Sequence, residues 1–262
     1  MKYLVFYNSQ NTNSISIGDV IRFLELIKLR NFSMVTNKSN QNFFRNFNNK
    51  NIINIKDVKK IDKRSKIINL TVGLKLKKTI FDINDFLTKD NINKVSTFKI
   101  IQKFKKKINY KEPPYKKIYI NQKSIIGINW IVPSKWKIKS YPKNNLKLIE
   151  KDIRTNHSLK VSWQKKCNLE KYVRWIKSCD ILISVVGLGV HIGSYFNKEI
   201  IMLSGPTDFF ESNKNPKIVK IKPDKRCKIH EKKLNVFYKN CNCMKKIKVR
   251  KILNNIENRI LN

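Results

Sequence analysis

Alanine is absent from the 262-residue chain, and glycine and proline number only 7 each. Ala codons are GC-rich, whereas those for Lys, Asn and Ile are AT-rich, so the missing alanine marks an AT-rich genome. Acidic residues are scarce as well. Against 57 Lys+Arg, 48 of them Lys, stand 18 Asp+Glu, for a formal net charge of +39. Part of that excess follows from codon bias. A basic surface attracts phosphate on nucleic acid or anionic lipid whatever its origin, so the charge names no partner. Five cysteines form an odd set with no paired C-x2-C, which indicates neither a disulfide framework nor a zinc site, and no metal ligand is expected. Long apolar runs are missing too. The longest uncharged stretch, residues 181–197, holds His191 and three glycines and falls short of the ~20 apolar residues of a spanning helix. Residues 1–7 carry one Lys and an apolar run too short for a secretion-signal core. The expectation is a soluble, reduced, cytoplasmic protein able to lie against the inner face of the cytoplasmic membrane. A hydrophobic fraction of 41% exceeds that of a disordered chain, and the length suits one large or two modest domains.

Short apolar runs alternate with polar loops in the first half. Residues 3–7 have the length of a buried strand and lead into a Ser/Asn/Thr-rich loop at 8–16. Asp19 then opens a helix whose Val20, Phe23, Leu24 and Ile27 recur at helical spacing. Further strands are expected at 33–36, 52–55 and 67–72. From Lys89 to Lys117 the chain is Lys-rich, includes Pro113-Pro114 and shows no clear strand; its latter part reads as an interdomain connection or a basic surface segment. In the second half, strands at 124–130, 159–163, 181–185 and 199–203 alternate with helices at 145–153, 169–178 and 190–196. A closing amphipathic helix is expected within 245–260. Such alternation implies parallel βαβ units and doubly wound sheets.

Ligands of open parallel sheets bind where strand carboxyl ends meet helix N-termini. Three such places carry unusual residues. Gly18-Asp19 opens the first helix; Asp19 reads either as a charge complementing the helix dipole or as a carboxylate available as a general base. Lys135, Lys137 and Lys139, interleaved with Trp136 and Tyr141, read either as a chance cluster in a Lys-rich chain or as a grip for a phosphate and a base. Gly187-Leu188-Gly189 precedes His191, and the next strand ends in Gly205-Pro206-Thr207. Glycine at a strand–helix junction lets a bulky anion approach backbone N–H groups at the positive helix end.

Together these segments resemble the heptosyltransferase-like glycosyltransferases, family nine in the sugar-transferase classification. The family's "-GD-V/I-" helix start is matched by Gly18-Asp19-Val20-Ile21. Its "K-x-aromatic-P" turn is matched by Lys139-Ser140-Tyr141-Pro142, and its "-GPT-" by Gly205-Pro206-Thr207. The placement of Cys179-Asp180, His191 and Cys243-Met244 also follows it. The likeness is strong over about 120–262 and limited to the first helix unit before that. It implies a GT-B architecture: two Rossmann-like α/β domains, 1–118 and 119–262, facing a cleft, with the first shortened and the final helix packing back.

By that resemblance the chain moves a sugar, heptose-like or other, from a nucleotide-diphosphate sugar to a cell-surface glycan or lipid-linked acceptor such as a lipopolysaccharide precursor. Transfer would invert the anomeric centre and need no metal or other cofactor. Asp19 would be the general base and Lys139 would meet the diphosphate. Gly187, Leu188, Gly189 and His191 would hold diphosphate and sugar, and Gly205, Pro206 and Thr207 would shape the nucleotide side. One departure stands out: the family's Asp-Ser/Thr pair is Val186-Gly187 here, which implies another donor or a lost activity. The rival expectation is a non-catalytic basic protein that binds nucleic acid or a ribonucleoprotein on a degenerate transferase fold.

Overall fold

The computed structural model describes residues 2–6, 13–14, 16–27, 32–47, 52–54, 65–72, 74, 76, 79–87, 97–111, 120–121, 123–208, 215–236 and 240–260. The chain divides into two compact units, Met1–Pro113 and Pro114–Asn262. Each is built on its own five-stranded sheet, parallel throughout. The expected two-sheet α/β class is what the chain adopts.

In the first unit the order is β1 (Lys2–Val5), β2 (Asn13–Ser14), α1 (Ile17–Ile27), β3 (Ser33–Thr36), α2 (Lys38–Arg45), β4 (Ile52–Asn54), β5 (Lys66–Asn69), β6 (Thr71–Val72), β7 (Thr79–Asp82) and α3 (Thr97–Lys107). The sheet runs β4-β3-β1-β5-β7, so strand order reverses between β1 and β5. Without alanine, the space between helices and sheet is filled by large side chains. Phe23 packs on Phe81 and Phe104 with ring centroids 5.8 and 5.0 Å away, and all three rings are buried. Burying such rings is the main stabilisation of a unit this small.

The second unit contains β8 (Ile125–Asn129), a tight turn of helix at Ser134–Lys139, α4 (Lys143–His157), β9 (Lys160–Trp163), α5 (Leu169–Ser178), β10 (Ile181–Val185), α6 (Leu188–Tyr195), β11 (Glu199–Leu203), β12 (Ile218–Ile221), α7 (Lys228–Lys232) and α8 (Val249–Ile260). Its sheet runs β12-β11-β10-β8-β9, and the order reverses between β8 and β10. Every residue of β10 and β11 is buried, as expected for the mostly apolar runs ILISV and EIIML in strands covered on both faces; the polar exceptions, Ser184 and Glu199, are paired with Asn129 and Arg259. One core cluster joins Leu146, Ile149 and Ile153 of α4 to Ile252, Leu253 and Ile256 of α8. The last helix therefore packs on the sheet of its own unit.

Several elements differ from expectation. The strand foreseen at 67–72 breaks after Asn69, whose side-chain oxygen accepts from the Thr71 backbone N–H at 3.0 Å while its amide donates to the Leu74 carbonyl. This Asx turn ends β5, and Thr71–Val72 pairs separately and antiparallel with β2. Within the Lys-rich stretch, α3 buries Ile100, Ile101 and Phe104; lysines on its outer face hid the period. α2, β7, β12 and α7 were not foreseen. α4 is longer than expected and stops where Ser158 turns left-handed at φ 53°. Tyr7, most of the 8–16 loop, Ile55 and Pro113-Pro114 lie outside the described residues. Among the described residues no helix is long and apolar enough to cross a membrane.

Candidate functional site

Reversal of strand order opens a crevice at the carboxyl edge of a parallel sheet, because the two flanking crossovers leave toward opposite faces. In the second unit that position lies between β8 and β10. Asn129 ends β8 and faces Ser184 of β10 in register. It is 6% exposed, and its amide donates to the Ser184 hydroxyl at 2.7 Å. Its carbonyl oxygen accepts from the Tyr172 hydroxyl of α5 at 2.9 Å. Burial pushes the Tyr172 phenol far up, so it stays a neutral donor. These three polar groups form a satisfied network under the loop that leaves β10. Sequence reasoning missed all three: an Asn at a strand end, a Ser in a strand and a Tyr on a helix face carry no local signal.

Over that network runs Val186-Gly187-Leu188-Gly189, and α6 begins at Leu188, two residues earlier than expected. The two glycines serve different ends. A Cβ on Gly189 would lie 2.2 Å from Asn129 Nδ2 and 2.5 Å from the Tyr172 oxygen, so only a hydrogen fits. A Cβ on Gly187 would meet nothing within 4 Å. Gly187 thus borders open space at the start of α6, where unpaired N–H groups favour an anion. His191 stands half-buried within the same helix.

The neighbouring strand β11 pairs with β10 and delivers Ser204-Gly205-Pro206-Thr207-Asp208 to the same edge. Gly205, Pro206 and Thr207 are buried, so they shape the edge from beneath. The turn is braced from outside. The Arg226 guanidinium donates to the Gly205 carbonyl at 2.8 Å and the Ser204 carbonyl at 3.1 Å. The Asn235 N–H donates to the Pro206 carbonyl at 3.0 Å, and the Asn235 side chain accepts from the Asp208 N–H at 3.1 Å. A Cβ on Gly205 would fall 2.4 Å from the Met244 sulfur.

Lys139 closes the helical turn after β8, its ammonium 4.6 Å from the centre of the Trp136 ring. Burial lowers its pKa. Part of the desolvation cost of pairing this ammonium with an anion is therefore already met. The Lys135 ammonium lies 4.9 Å from the centre of the same ring. Tyr141, in the sequence either part of a chance cluster or of a grip for a base, is 5% exposed and donates to the Ile247 carbonyl at 3.0 Å, which makes it an anchor for the segment before α8. Asp180 also has a structural position. It precedes β10, at the amino edge, and accepts from the Ile125 N–H at 2.8 Å.

Asp19 belongs to the first unit, at the third position of α1. Its Oδ2 accepts from the Ser16 hydroxyl at 2.8 Å, the Asp19 N–H donates back to that oxygen at 3.1 Å, and Arg22 binds Oδ1 at 2.6 Å. The helix-start reading is thus realised in geometry, and both carboxylate oxygens are engaged. In the second unit the structure brings Gly187, Leu188, Gly189, Gly205, Pro206 and Thr207 to one sheet edge, with Lys139 following the third contributing strand.

Another assembly lies between β12 and α8. Cys227, His230, Cys241 and Cys243 place their ligand atoms within 4.8 Å of one another. The sequence reading, looking for paired C-x2-C, expected no such cluster; the available signal was C-x2-H followed by C-x-C.

No family model and no curated protein matches the sequence. Solved structures do match the fold. Escherichia coli heptosyltransferase WaaC, determined with ADP-2-deoxy-2-fluoro heptose, aligns with a TM-score of 0.57 at 10% identity over 98% of this chain and 99% of that one. A glycosyl transferase of family 9 from Veillonella parvula aligns at 0.57 and 12% identity, over 99% and 97%. The iron-containing dodecameric glycosyltransferase TibC from enterotoxigenic E. coli aligns at 0.52 and 11% identity, over 99% of this chain and 76% of that one. At such identities the likeness is one of fold: the chain has the two-sheet α/β fold of the heptosyltransferase-like, family nine glycosyltransferases.

Proposed function

We propose that the protein is a glycosyltransferase that takes a sugar from a nucleotide-diphosphate sugar and passes it, with inversion, to a hydroxyl of a glycan or glycolipid. The observation that carries this reading is the carboxyl edge of the second sheet. There a glycine-opened helix start borders open space at Gly187, over a fully hydrogen-bonded floor of Asn129, Ser184 and Tyr172. A diphosphate suits such a place, because helix N–H groups and a partly desolvated Lys139 stabilise the charge that grows on the leaving group. Asp19 is the proposed general base. Its ion pair with Arg22 fixes the orientation of the carboxylate, and an acceptor hydroxyl replaces the Ser16 hydroxyl on Oδ2. WaaC, which shares the fold, was determined with an ADP-heptose analogue, and this favours a nucleotide sugar as donor here. Anionic lipid suits the basic surface as the place where a lipid-linked acceptor is met.

A thermal-shift screen of nucleoside diphosphates and their sugars tests the reading. A donor at 100 times its Kd stabilises by ~2.7 kcal/mol. With that donor, Asp19→Asn keeps the shift and lowers transfer by about 10²- to 10⁴-fold, the usual contribution of a general base. Lys139→Ala lowers both the shift and the rate, since a diphosphate contact acts in ground and transition states alike. No shift with any nucleotide, together with tight salt-sensitive RNA binding, would establish the nucleic-acid reading instead.

A further inference from the structure

We propose that Cys227, His230, Cys241 and Cys243 form a binding site for one Zn2+ ion, held tetrahedrally, and that this ion fixes the segment bracing the Ser204–Asp208 turn. Three thiols and an imidazole within 4.8 Å of one another are the ligand set of a closed structural zinc site. Bonds of about 2.3 Å from zinc to each sulfur set tetrahedral sulfurs roughly 3.8 Å apart. Cys227 Sγ and Cys243 Sγ lie 3.5 Å apart. His230 Nδ1 lies 2.9 Å from the first and 3.8 Å from the second.

The histidine is oriented for ligation. Its Nε2 lies 2.9 Å from the Val236 carbonyl oxygen, which can only accept. Nε2 therefore carries the proton, and Nδ1 turns its lone pair toward the sulfurs. A ligating imidazole whose other nitrogen donates to a backbone carbonyl is the usual outer-shell arrangement of metal-bound histidine. The Cys227 N–H donates to the Cys243 sulfur at 3.2 Å, an arrangement that suits a thiolate. His230 and Cys243 are almost wholly buried, at 1% and 0% exposure, so an ion here is shielded from water on that side. In a chain with 57 basic residues, the single negative charge of a zinc bound by three thiolates is readily accommodated.

The place of the cluster gives the ion its role. Apart from α7, the described residues of 227–236 and 240–243 form turns and irregular backbone. Yet Arg226, Asn235 and Met244, at the ends and middle of this segment, hold the Gly205-Pro206 turn. Four ligands closing the segment on itself supply the rigidity that its sequence does not.

Metal analysis of the full-length protein, purified under reducing conditions without chelator, tests this directly and needs no donor sugar. The expected result is about one zinc per chain. Cobalt substituted for zinc gives the intense visible bands of a tetrahedral thiolate site. Cys241→Ser and Cys243→Ser lose the zinc, whereas Cys167→Ser, at an exposed cysteine outside the cluster, retains it. Because a ligand variant can fail to fold, the wild type is also melted after chelation: its Tm falls, and Zn2+ restores it. Zinc-free wild type that takes up none when reduced overturns the proposal, as does zinc retained by both variants or a disulfide among the four residues. Stoichiometric iron in place of zinc overturns the assignment of the ion.

Discussion

Gly187 and Gly189 are separated by one residue, yet the structure assigns them opposite tolerances. Gly189→Ala drives a methyl group into Asn129 and Tyr172, and overpacking of this kind costs about 1–3 kcal/mol. It also displaces the floor of the candidate donor site, so the nucleotide shift falls with stability. Gly187→Ser places its side chain in open space and supplies a capping hydroxyl where α6 now has none. Stability should stay level or rise by a few tenths of a kcal/mol. Chemical denaturation of the two variants checks both, and equal losses would contradict the placement. With Val186→Asp added, the variant also restores the pair that the resembled family carries, so a changed donor preference marks an enzyme adapted to another sugar. Neither tolerance was legible beforehand. Both residues read alike in the sequence, and what separates them is Tyr172 and Asn129, 17 and 60 residues away.

Among the elements, α8 is tied to its sheet by a buried ion pair. Arg259 binds Glu199 at the start of β11, where the carboxylate is 2% exposed. Removing one partner of a buried pair leaves the other charged and unsolvated, so Arg259→Ala should cost about 3–5 kcal/mol. Replacing both, as Arg259→Met with Glu199→Met, should cost clearly less, because no charge is stranded. Denaturant midpoints at unchanged m-value measure the comparison. If the double variant is as unstable as the single one, the pair is not what holds the helix. The apolar stripe Ile252, Ile256 and Ile260 had already marked this helix in the sequence. Its register against β11 depends on a contact spanning 60 residues, which no local pattern encodes.

On the scale of the molecule, the charge is divided between the two units nearly in proportion to their length. The first unit carries 24 basic and 8 acidic residues, a net +16, and the second 33 and 10, a net +23. An excess shared in proportion to length is what codon bias produces, whereas a nucleic-acid binder concentrates it on one face. The protein should therefore hold random RNA weakly and with a steep salt dependence, because each neutralised phosphate releases counterions. A nucleoside diphosphate presents two phosphates, so its thermal shift should survive a rise from 50 to 200 mM salt (chosen to span the range over which multi-phosphate contacts lose about 10³- to 10⁵-fold in affinity). Parallel loss of both signals would tie nucleotide binding to bulk charge and not to the sheet edge.

Sequence by itself determined the alternation of strands and helices in the second half, the buried runs of β10 and β11, and the edge at which glycines and the Gly205-Pro206-Thr207 turn collect. Those features are periodic or local, and period and turn chemistry are written into neighbouring residues. The lysine-rich α3, the Asx break after Asn69, and the edge strand β12 escaped, since their cause is burial and pairing against partners far along the chain. Only tertiary structure decided that Tyr141 anchors the core, that Asn129, Ser184 and Tyr172 floor the site, and that four residues spread over 227–243 converge on one point. Such convergence comes from backbone turns that bring side chains together in space, and spacing alone does not prescribe it.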